Sequence, residues 1–150
     1  MAANQTQFGT MTTTANAGAA PRKIRTLIVD DQLIQREVLR RMLRNETDIE
    51  IIGTPVNGRE AVISINELQP DLVFMDVQMP ELDGFGVVSE IGAARMPLFI
   101  IITANDQFAQ QASDAHALDY LLKPCTRARL QATLQRAREK IHAEPSPEAV

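Results

Sequence analysis

The order of apolar and polar positions along the chain predicts five strands that alternate with five helices. Five short apolar runs, each the length of a buried strand, are separated by segments whose apolar residues repeat at helical spacing. The predicted strands are residues 24–29, 49–52, 72–75, 98–102 and 119–122. A helix is predicted after each strand, and the weakest of these helical patterns covers about residues 106–115.

This alternation predicts an α/β fold. The strands are almost wholly apolar, which is typical of a parallel sheet that is covered by helices on both faces. Right-handed crossovers leave few ways to connect five such units. The expected arrangement is therefore a flavodoxin-like, doubly wound five-stranded parallel sheet with strand order 2-1-3-4-5 and five helices.

The chain has 150 residues, a length that suits one domain with tails. Residues 1–21 carry no charge and are rich in Thr, Ala, Asn and Gly, so they are predicted to be a disordered tail. The domain is expected to span residues 22–142. Residues 143–150 contain two prolines between acidic residues and are predicted to begin a linker, with any output domain absent from this chain.

Several classes of protein are disfavoured by composition. No run approaches the roughly 20 apolar residues of a membrane helix, and the N-terminus does not resemble a secretory signal. The single cysteine, Cys125, excludes an internal disulfide and a cysteine-based zinc cluster. A cytoplasmic location is expected.

Charge is distributed unevenly. The net charge is −4, which argues against binding of nucleic acid through bulk positive charge. Residues 22–44 carry +4, residues 45–122 carry −11 and residues 123–142 carry +5. The predicted strand order makes the first and last helices neighbours, so the two basic blocks are expected to lie side by side.

Polar side chains follow the predicted strands at the point where each strand ends. Asp30 and Asp31 follow the first strand, Asp76 the third, Thr103 the fourth and Lys123 the fifth. Ligands bind at this edge of open parallel sheets. Three clustered carboxylates repel one another and favour a hard cation such as Mg²⁺. The lysine and the hydroxyl suit phosphoryl oxygens, and a carboxylate in such a site is able to form an aspartyl-phosphate.

These strand ends belong to longer motifs that resemble the receiver domain of two-component response regulators. The resemblance covers roughly residues 24–141, with all motifs in order. The stretch from Phe108 to Pro124 is similar to receivers that precede a LytTR-type DNA-binding domain, as in LytR/AlgR-like transcriptional regulators. The motifs are Val29-Asp30-Asp31, Met75-Asp76-Val77-Gln78-Met79-Pro80, Asp83-Gly84, Thr103-Ala104 and Lys123-Pro124.

The resemblance implies roles for the acidic residues that follow the strands and for one backbone carbonyl. Asp76 is the implied phosphoacceptor. Asp31 is implied to bind Mg²⁺ directly and Asp30 largely through water, with Asp76 and the backbone carbonyl of Gln78 as further ligands.

Three other residues have implied roles in catalysis and switching. Lys123 pairs with the phosphoryl oxygens or with Asp76, and Thr103 forms a hydrogen bond with the phosphoryl group after transfer. Tyr120 is the aromatic side chain that changes rotamer together with Thr103. The Lys123-Pro124 peptide bond is expected to be cis.

The implied function is a conformational switch that a histidine kinase or phosphotransfer protein phosphorylates. Such a protein catalyses only its own phosphorylation and dephosphorylation, and it regulates transcription through the absent LytTR-type domain. This chain alone is not expected to bind DNA or membranes. The resemblance implies that the chain is able to form a homodimer through the face made by the fourth helix, the fifth strand and the fifth helix. Cys125 and Ser113 depart from the subgroup pattern near that face, since phenylalanine and a bulky aromatic residue are usual there.

Alternatives from other classes have less support in the sequence. A stand-alone phosphorelay receiver and a phosphorylation-independent adapter share the fold. A haloacid-dehalogenase-like phosphatase places a second aspartate two residues after its nucleophile, whereas residue 32 is glutamine here. A flavodoxin needs a Ser/Thr/Gly-rich phosphate loop after the first strand, which this sequence lacks.

Overall fold

The computed structural model describes residues 22–143, where five parallel strands alternate with helices. The predicted tail, residues 1–21, and residues 144–150 of the predicted linker lie outside the described residues. In chain order the elements are β1 Ile24–Val29, α1 Leu33–Leu43, β2 Ile49–Gly53, α2 Gly58–Leu68, β3 Leu72–Met75, α3 Gly84–Ile91, β4 Leu98–Thr103, a 3₁₀ turn Asp106–Phe108, α4 Ala109–Asp114, β5 Asp119–Leu122 and α5 Arg127–Ala143.

The sheet has the order β2-β1-β3-β4-β5, which confirms the predicted doubly wound topology. Every pair of neighbouring strands is parallel. Val29 of β1 is in register with Met75 of β3, and Met75 is in register with Ile101 of β4. Because β1 and β3 end level with each other, the residues that follow them are brought side by side.

The inner strands β1, β3 and β4 are mostly apolar because both faces of the sheet are buried there. Leu27, Val73 and Ile101 pack on one face with side chains of α2, α3 and α4. Alternate residues such as Ile28 and Phe74 pack on the other face with side chains of α1 and α5. Adjacent strand residues point to opposite faces, so two apolar layers need an unbroken apolar run.

The Asp83-Gly84 pair shapes the loop that follows β3. The Asp83 carboxylate caps α3 by accepting a hydrogen bond from the Gly86 N–H at 2.8 Å. A Cβ atom at Gly84 would lie 2.8 Å from the carbonyl oxygen of Asp76, closer than real Cβ atoms come. Glycine at residue 84 therefore allows α3 to begin directly against the backbone of Asp76.

Ion pairs tie α5 to the sheet through Asp119 at the start of β5. The Asp119 side chain is 9% exposed and lies within 3.2 Å of both Arg129 and Arg136. It also accepts a hydrogen bond from the Thr133 hydroxyl at 2.6 Å. Although burial opposes ionisation, the hydrogen bonds from Arg129 and Thr133 outweigh it and hold the pKa of Asp119 well below its usual range.

A second set of ion pairs changes the interpretation of the two basic blocks. Arg138 of α5 reaches Glu46 at 2.8 Å and Asp48 at 2.7 Å, in the loop that joins α1 to β2. The two blocks are neighbours, as predicted, but carboxylates pair with three of the α5 arginines. On α1, Arg41 and Arg44 are exposed and have no ion-pair partner within residues 22–143, and Arg40 has only a long contact with Glu37 at 3.6 Å. Arg127 and Lys140 of α5 are exposed as well.

Within residues 22–143, no helix has the length and apolar character needed to cross a membrane.

Replacing Asp119 with asparagine should lower the free energy of unfolding at pH 7 by about 1–3 kcal/mol, because two arginines lose a nearly buried partner. A carboxylate whose folded pKa is depressed stabilises the fold above its unfolded pKa, and this contribution disappears as pH falls toward the folded value. Urea denaturation of both proteins should therefore show the largest difference at pH 7 and a smaller one near pH 2.5.

Glu37→Gln is the matched control for that measurement. Glu37 approaches Arg40 only at 3.6 Å, and both side chains are about half exposed, so its loss should change stability by less than about 0.5 kcal/mol. Equal effects of the two substitutions would contradict a structural role for Asp119.

Candidate functional site

Two buried carboxylates lie side by side at the carboxyl ends of the central strands. Asp30 follows β1 and is 4% exposed, and Asp76 follows β3 and is 7% exposed. The backbone N–H of Asp76 donates to the carbonyl of Val29 at 3.0 Å, which continues the pairing of β1 with β3 past their ends. The sheet itself thus sets the distance between the two acids.

A single ammonium group bridges these carboxylates. The Nζ of Lys123, just past β5, lies 2.7 Å from Oδ2 of Asp30 and 2.9 Å from Oδ2 of Asp76. The backbone N–H of Lys123 donates to the carbonyl of Thr103 at 2.8 Å, and the Lys123-Pro124 peptide bond is cis, as the sequence led us to expect. Lysine is therefore held in place by its backbone as well as by its two acidic partners.

The second oxygen of each carboxylate is fixed by a backbone donor two residues further along. Asp30 Oδ1 accepts from the N–H of Gln32 at 2.9 Å, and Asp76 Oδ1 accepts from the N–H of Gln78 at 3.0 Å. Such local turns are characteristic of aspartate. They leave the Oδ2 atoms of both acids directed at Lys123.

One ammonium compensates the two buried acids only in part. Burial is the main reason that the pKa of Asp30 is raised above its ordinary value, and the nearby Asp76 acts in the same direction. Burial alone would lower the pKa of Lys123, but the hydrogen bonds to Asp30 and Asp76 raise it. The lysine is therefore held as a cation, and further positive charge would be favourable beside Asp30.

The remaining predicted metal ligands lie at the rim of this cluster. Asp31 is exposed, and no ion pair involves it within residues 22–143. Across those same residues, no three His, Cys, Asp or Glu side chains converge closely enough to hold a metal ion alone. Mg²⁺ usually takes one or two carboxylates and fills its other positions with water and phosphate oxygens. Direct binding by Asp31, Asp76 and the Gln78 carbonyl, with Asp30 acting through water, would fit that requirement.

The hydroxyls of Thr103 and Tyr120 both form hydrogen bonds with the backbone of Asn105, a residue that the sequence analysis did not identify. The Thr103 hydroxyl is fully buried and accepts from the N–H of Asn105 at 3.4 Å. The Tyr120 hydroxyl donates to the carbonyl of the same Asn105 and accepts from the N–H of Phe108 at 3.2 Å. Asn105 also caps the 3₁₀ turn, and an asparagine just after a strand was the available signal.

Arg36 is a second residue whose role the sequence did not reveal. Its guanidinium donates to the backbone carbonyl of Asp30 at 2.8 Å. This hydrogen bond connects α1 directly to the loop between β1 and α1 that contains Asp30 and Asp31. A basic residue six positions from an aspartate is too common to indicate such a contact. Arg36 belongs to the first basic block, yet its contact is with backbone at the site rather than with a partner.

The two departures from the subgroup pattern lie outside the acidic cluster. Cys125 is half-buried and packs with the apolar layer beneath α1 and α5. Burial raises the pKa of its thiol, so it is not activated as a thiolate. Ser113 is exposed on α4.

Comparison with known proteins agrees with this geometry. Residues 26–135 match the family model of the response regulator receiver domain. The chain is 42% identical over 117 residues to the transcriptional regulatory protein BtsR of Salmonella typhi, which covers 78% of this chain and 49% of BtsR. The chain thus spans about half the length of such curated relatives.

Solved structures of the same kind share the fold. The REC domain of AraT, a response regulator from Geobacillus stearothermophilus, superposes with a TM-score of 0.72 at 31% identity, covering 80% of this chain and 96% of that domain. A chain of the CheX–CheY–BeF₃–Mg²⁺ complex from Borrelia burgdorferi superposes with a TM-score of 0.69 at 27% identity, over 82% and 92% of the two chains. From the acidic strand ends, the topology and these matches together, the chain belongs to the response regulator receiver domains of two-component systems.

Proposed function

We propose that Asp76 accepts a phosphoryl group from a histidine kinase or phosphotransfer protein, and that the resulting acyl phosphate switches the conformation of the domain. The observation that carries this proposal is the Lys123 ammonium, 2.9 Å from Asp76 Oδ2 and 2.7 Å from Asp30 Oδ2. The chain would catalyse only its own phosphorylation and dephosphorylation, and would have no separate substrate.

The transfer is a displacement at phosphorus. A carboxylate oxygen of Asp76 attacks the phosphohistidine, the new O–P bond forms, and the P–N bond breaks with its electron pair returning to the imidazole. The N–H of Gln78 holds Oδ1 of Asp76 and the Lys123 ammonium holds Oδ2, so the carboxylate is oriented before it attacks. Lys123 already contacts Oδ2 and needs only a small shift to follow the negative charge onto the phosphoryl oxygens.

The donor set around Asp76 suits Mg²⁺. Asp31 would bind the ion directly, Asp30 largely through water, and Asp76 and the Gln78 carbonyl would complete the protein ligands. When bound, Mg²⁺ would neutralise charge on the phosphoryl oxygens. Asp30 would keep Lys123 next to Asp76, and would balance the ammonium while the lysine is not engaged with phosphate.

The switch would run from Thr103 to Tyr120 through Asn105. A phosphoryl group on Asp76 would compete with Asn105 for the Thr103 hydroxyl, whose present hydrogen bond is long at 3.4 Å. Movement of the Asn105 peptide would disturb the two hydrogen bonds of Tyr120 at the start of α4. Two arrangements of this loop, with populations that phosphorylation shifts, are sufficient for signalling.

The phosphodonor would dock on the N-terminal turn of α1. Leu33 and Ile34 are 62% and 72% exposed there, next to the acidic loop. Exposed neighbouring apolar side chains mark surfaces for partners. Arg40, Arg41 and Arg44 on the same helix would steer an acidic partner, whereas Arg129, Arg136 and Arg138 of α5 are already paired with carboxylates.

In the full-length protein, the receiver would control transcription. BtsR, which this chain matches over about half of its length, is named a transcriptional regulatory protein. We propose a LytTR-type DNA-binding output domain on the basis of the sequence between Phe108 and Pro124. The face formed by α4, β5 and α5, where Leu122 is 45% exposed, would carry phosphorylation-dependent dimerisation.

Incubation with acetyl phosphate and Mg²⁺ should add roughly 80 Da, one phosphoryl group, to the intact protein. Asp76→Asn should abolish the adduct. Asp83→Asn is the control, because asparagine caps α3 as well as aspartate does and the adduct should persist. The absence of any adduct on the wild type would favour the phosphorylation-independent adapter.

Mg²⁺ should raise the melting temperature by on the order of a few degrees at saturating concentration. The effect is smaller than for three uncompensated carboxylates, because Lys123 already pairs with two of them. Asp31→Asn should remove most of the increase, while Asp106→Asn, an exposed acid on the 3₁₀ turn, should leave it unchanged. An undiminished Mg²⁺ effect in Asp31→Asn would remove this residue from the ligand set.

Thr103→Ala should still be phosphorylated on Asp76 but should fail to transmit the change. In wild type, beryllofluoride with Mg²⁺ should shift the amide resonances of residues 105–114, and these shifts should be largely lost in Thr103→Ala. Thr103→Ser keeps the hydroxyl and should behave like wild type. Full shifts in the alanine variant would show that signalling bypasses Thr103.

A further inference from the structure

A cavity of about 380 Å³ lies beneath α1, beside the acidic cluster. Val38, Leu39 and Met42 of α1 form one wall, and Phe74 and Ile102 of the sheet form its floor. Its volume falls in the range of small-molecule sites, which are mostly apolar with a few polar groups at one end.

Small side chains and an open mouth account for the space. Cys125 lies on the wall opposite α1, and Ala104 contributes only a methyl group. Val38 at the helix side is 48% exposed, so solvent reaches the cavity past it. A ligand in the cavity would cover the exposed side chain of Val38. It would also occupy the space that a side chain larger than cysteine would fill at position 125.

The polar end of the cavity carries excess negative charge. Asp30 and Lys123 both line it, and Asp76 shares the same ammonium. The three carboxylates of Asp30, Asp31 and Asp76 face two cations, Lys123 and the Arg36 guanidinium that donates to the Asp30 carbonyl, so the formal sum is −1. A carboxylate offers about four acceptor positions, so Asp30 retains capacity beyond Gln32 and Lys123. A cationic head therefore fits this end better than an anionic one.

We propose that this cavity binds a small primary amine, with an apolar body of roughly six carbons in the cavity and the ammonium at Asp30. Such a ligand would hold Asp30 and restrict Lys123, and would thereby slow phosphorylation of Asp76. The binding stands independently of the proposed function, whereas this consequence rests on it.

The binding test is titration of the ¹⁵N-labelled protein with hexylamine, followed by amide resonances. Saturable shifts are expected in α1 and at residues 123–125. Ethylamine has the same charge as hexylamine but a shorter alkyl chain, and hexanoate has a similar alkyl chain but the opposite charge. Each should bind at least about tenfold more weakly than hexylamine.

Variants at the cavity wall distinguish hexylamine bound inside the cavity from hexylamine held at the protein surface by charge alone. Cys125→Phe should fill the cavity and weaken hexylamine binding at least about tenfold, while Cys125→Ser keeps the space and should bind normally. If Cys125→Phe loses its circular dichroism signal, Val38→Trp at the exposed mouth takes its place. Equal binding to the blocked and open variants, or equal binding of ethylamine and hexylamine, would overturn the proposal.

The regulatory consequence has a separate measurement. Hexylamine at saturation should slow acetyl phosphate labelling of wild type and Cys125→Ser by about tenfold, and should not slow labelling of the blocked variant. Binding without any effect on labelling would contradict the placement of the ammonium at Asp30. A protein that acetyl phosphate never labels would refute the proposed function, and the resonance titration would still decide whether the cavity binds the amine.

Discussion

One ammonium group shared by two buried carboxylates is the interaction on which the rest of the site depends. Two like charges about 4 Å apart near a protein surface repel by about 4 kcal/mol. Asp30 and Asp76 are brought together by the pairing of β1 with β3, so this repulsion is built into the sheet. Lys123 offsets it only because β5 ends level with the site and its backbone is fixed to Thr103. The arrangement leaves Asp76 in direct contact with a cation, which under the proposed function would follow the negative charge onto the phosphoryl group.

The same constraint explains features that lie further away. Gly84 lets α3 begin against Asp76, which closes the loop around the acid without moving it. Arg36 and Gln32 hold the Asp30 loop from the α1 side. On the other side, Asn105 forms hydrogen bonds with both the Thr103 hydroxyl and the Tyr120 hydroxyl, so the end of β4 is connected to β5 through a single residue. The Asp76 carboxylate has hydrogen-bond partners on both of its oxygens, whereas the Thr103 hydroxyl has one long hydrogen bond at 3.4 Å.

The strands, their order and the residues at their carboxyl ends could be predicted from the sequence, because they depend on patterns within short segments of the chain. Apolar runs indicate which segments are strands, and crossover handedness leaves few strand orders. In the expected order, the carboxyl ends of the strands bring Asp30, Asp76 and Lys123 together. The partners of long side chains could not be predicted. Nothing in the sequence near Asp119 indicates that two α5 arginines converge on it, or that Arg138 reaches Glu46 and Asp48. Asn105 was missed because its role depends on a backbone carbonyl, which every residue has. The weak fourth helix is divided between a 3₁₀ turn and Ala109–Asp114, a boundary that apolar spacing does not define.

The most direct test of the account is the ¹⁵N resonance of the Lys123 side chain. The chain has three lysines, and the other two, Lys23 and Lys140, are exposed and serve as internal references. The account predicts that the Lys123 ammonium exchanges its protons slowly in the free protein, and that beryllofluoride with Mg²⁺ shifts its resonance while the two references stay unchanged. A Lys123 resonance that matches those of Lys23 and Lys140 in both states would contradict the shared ammonium and the function built on it.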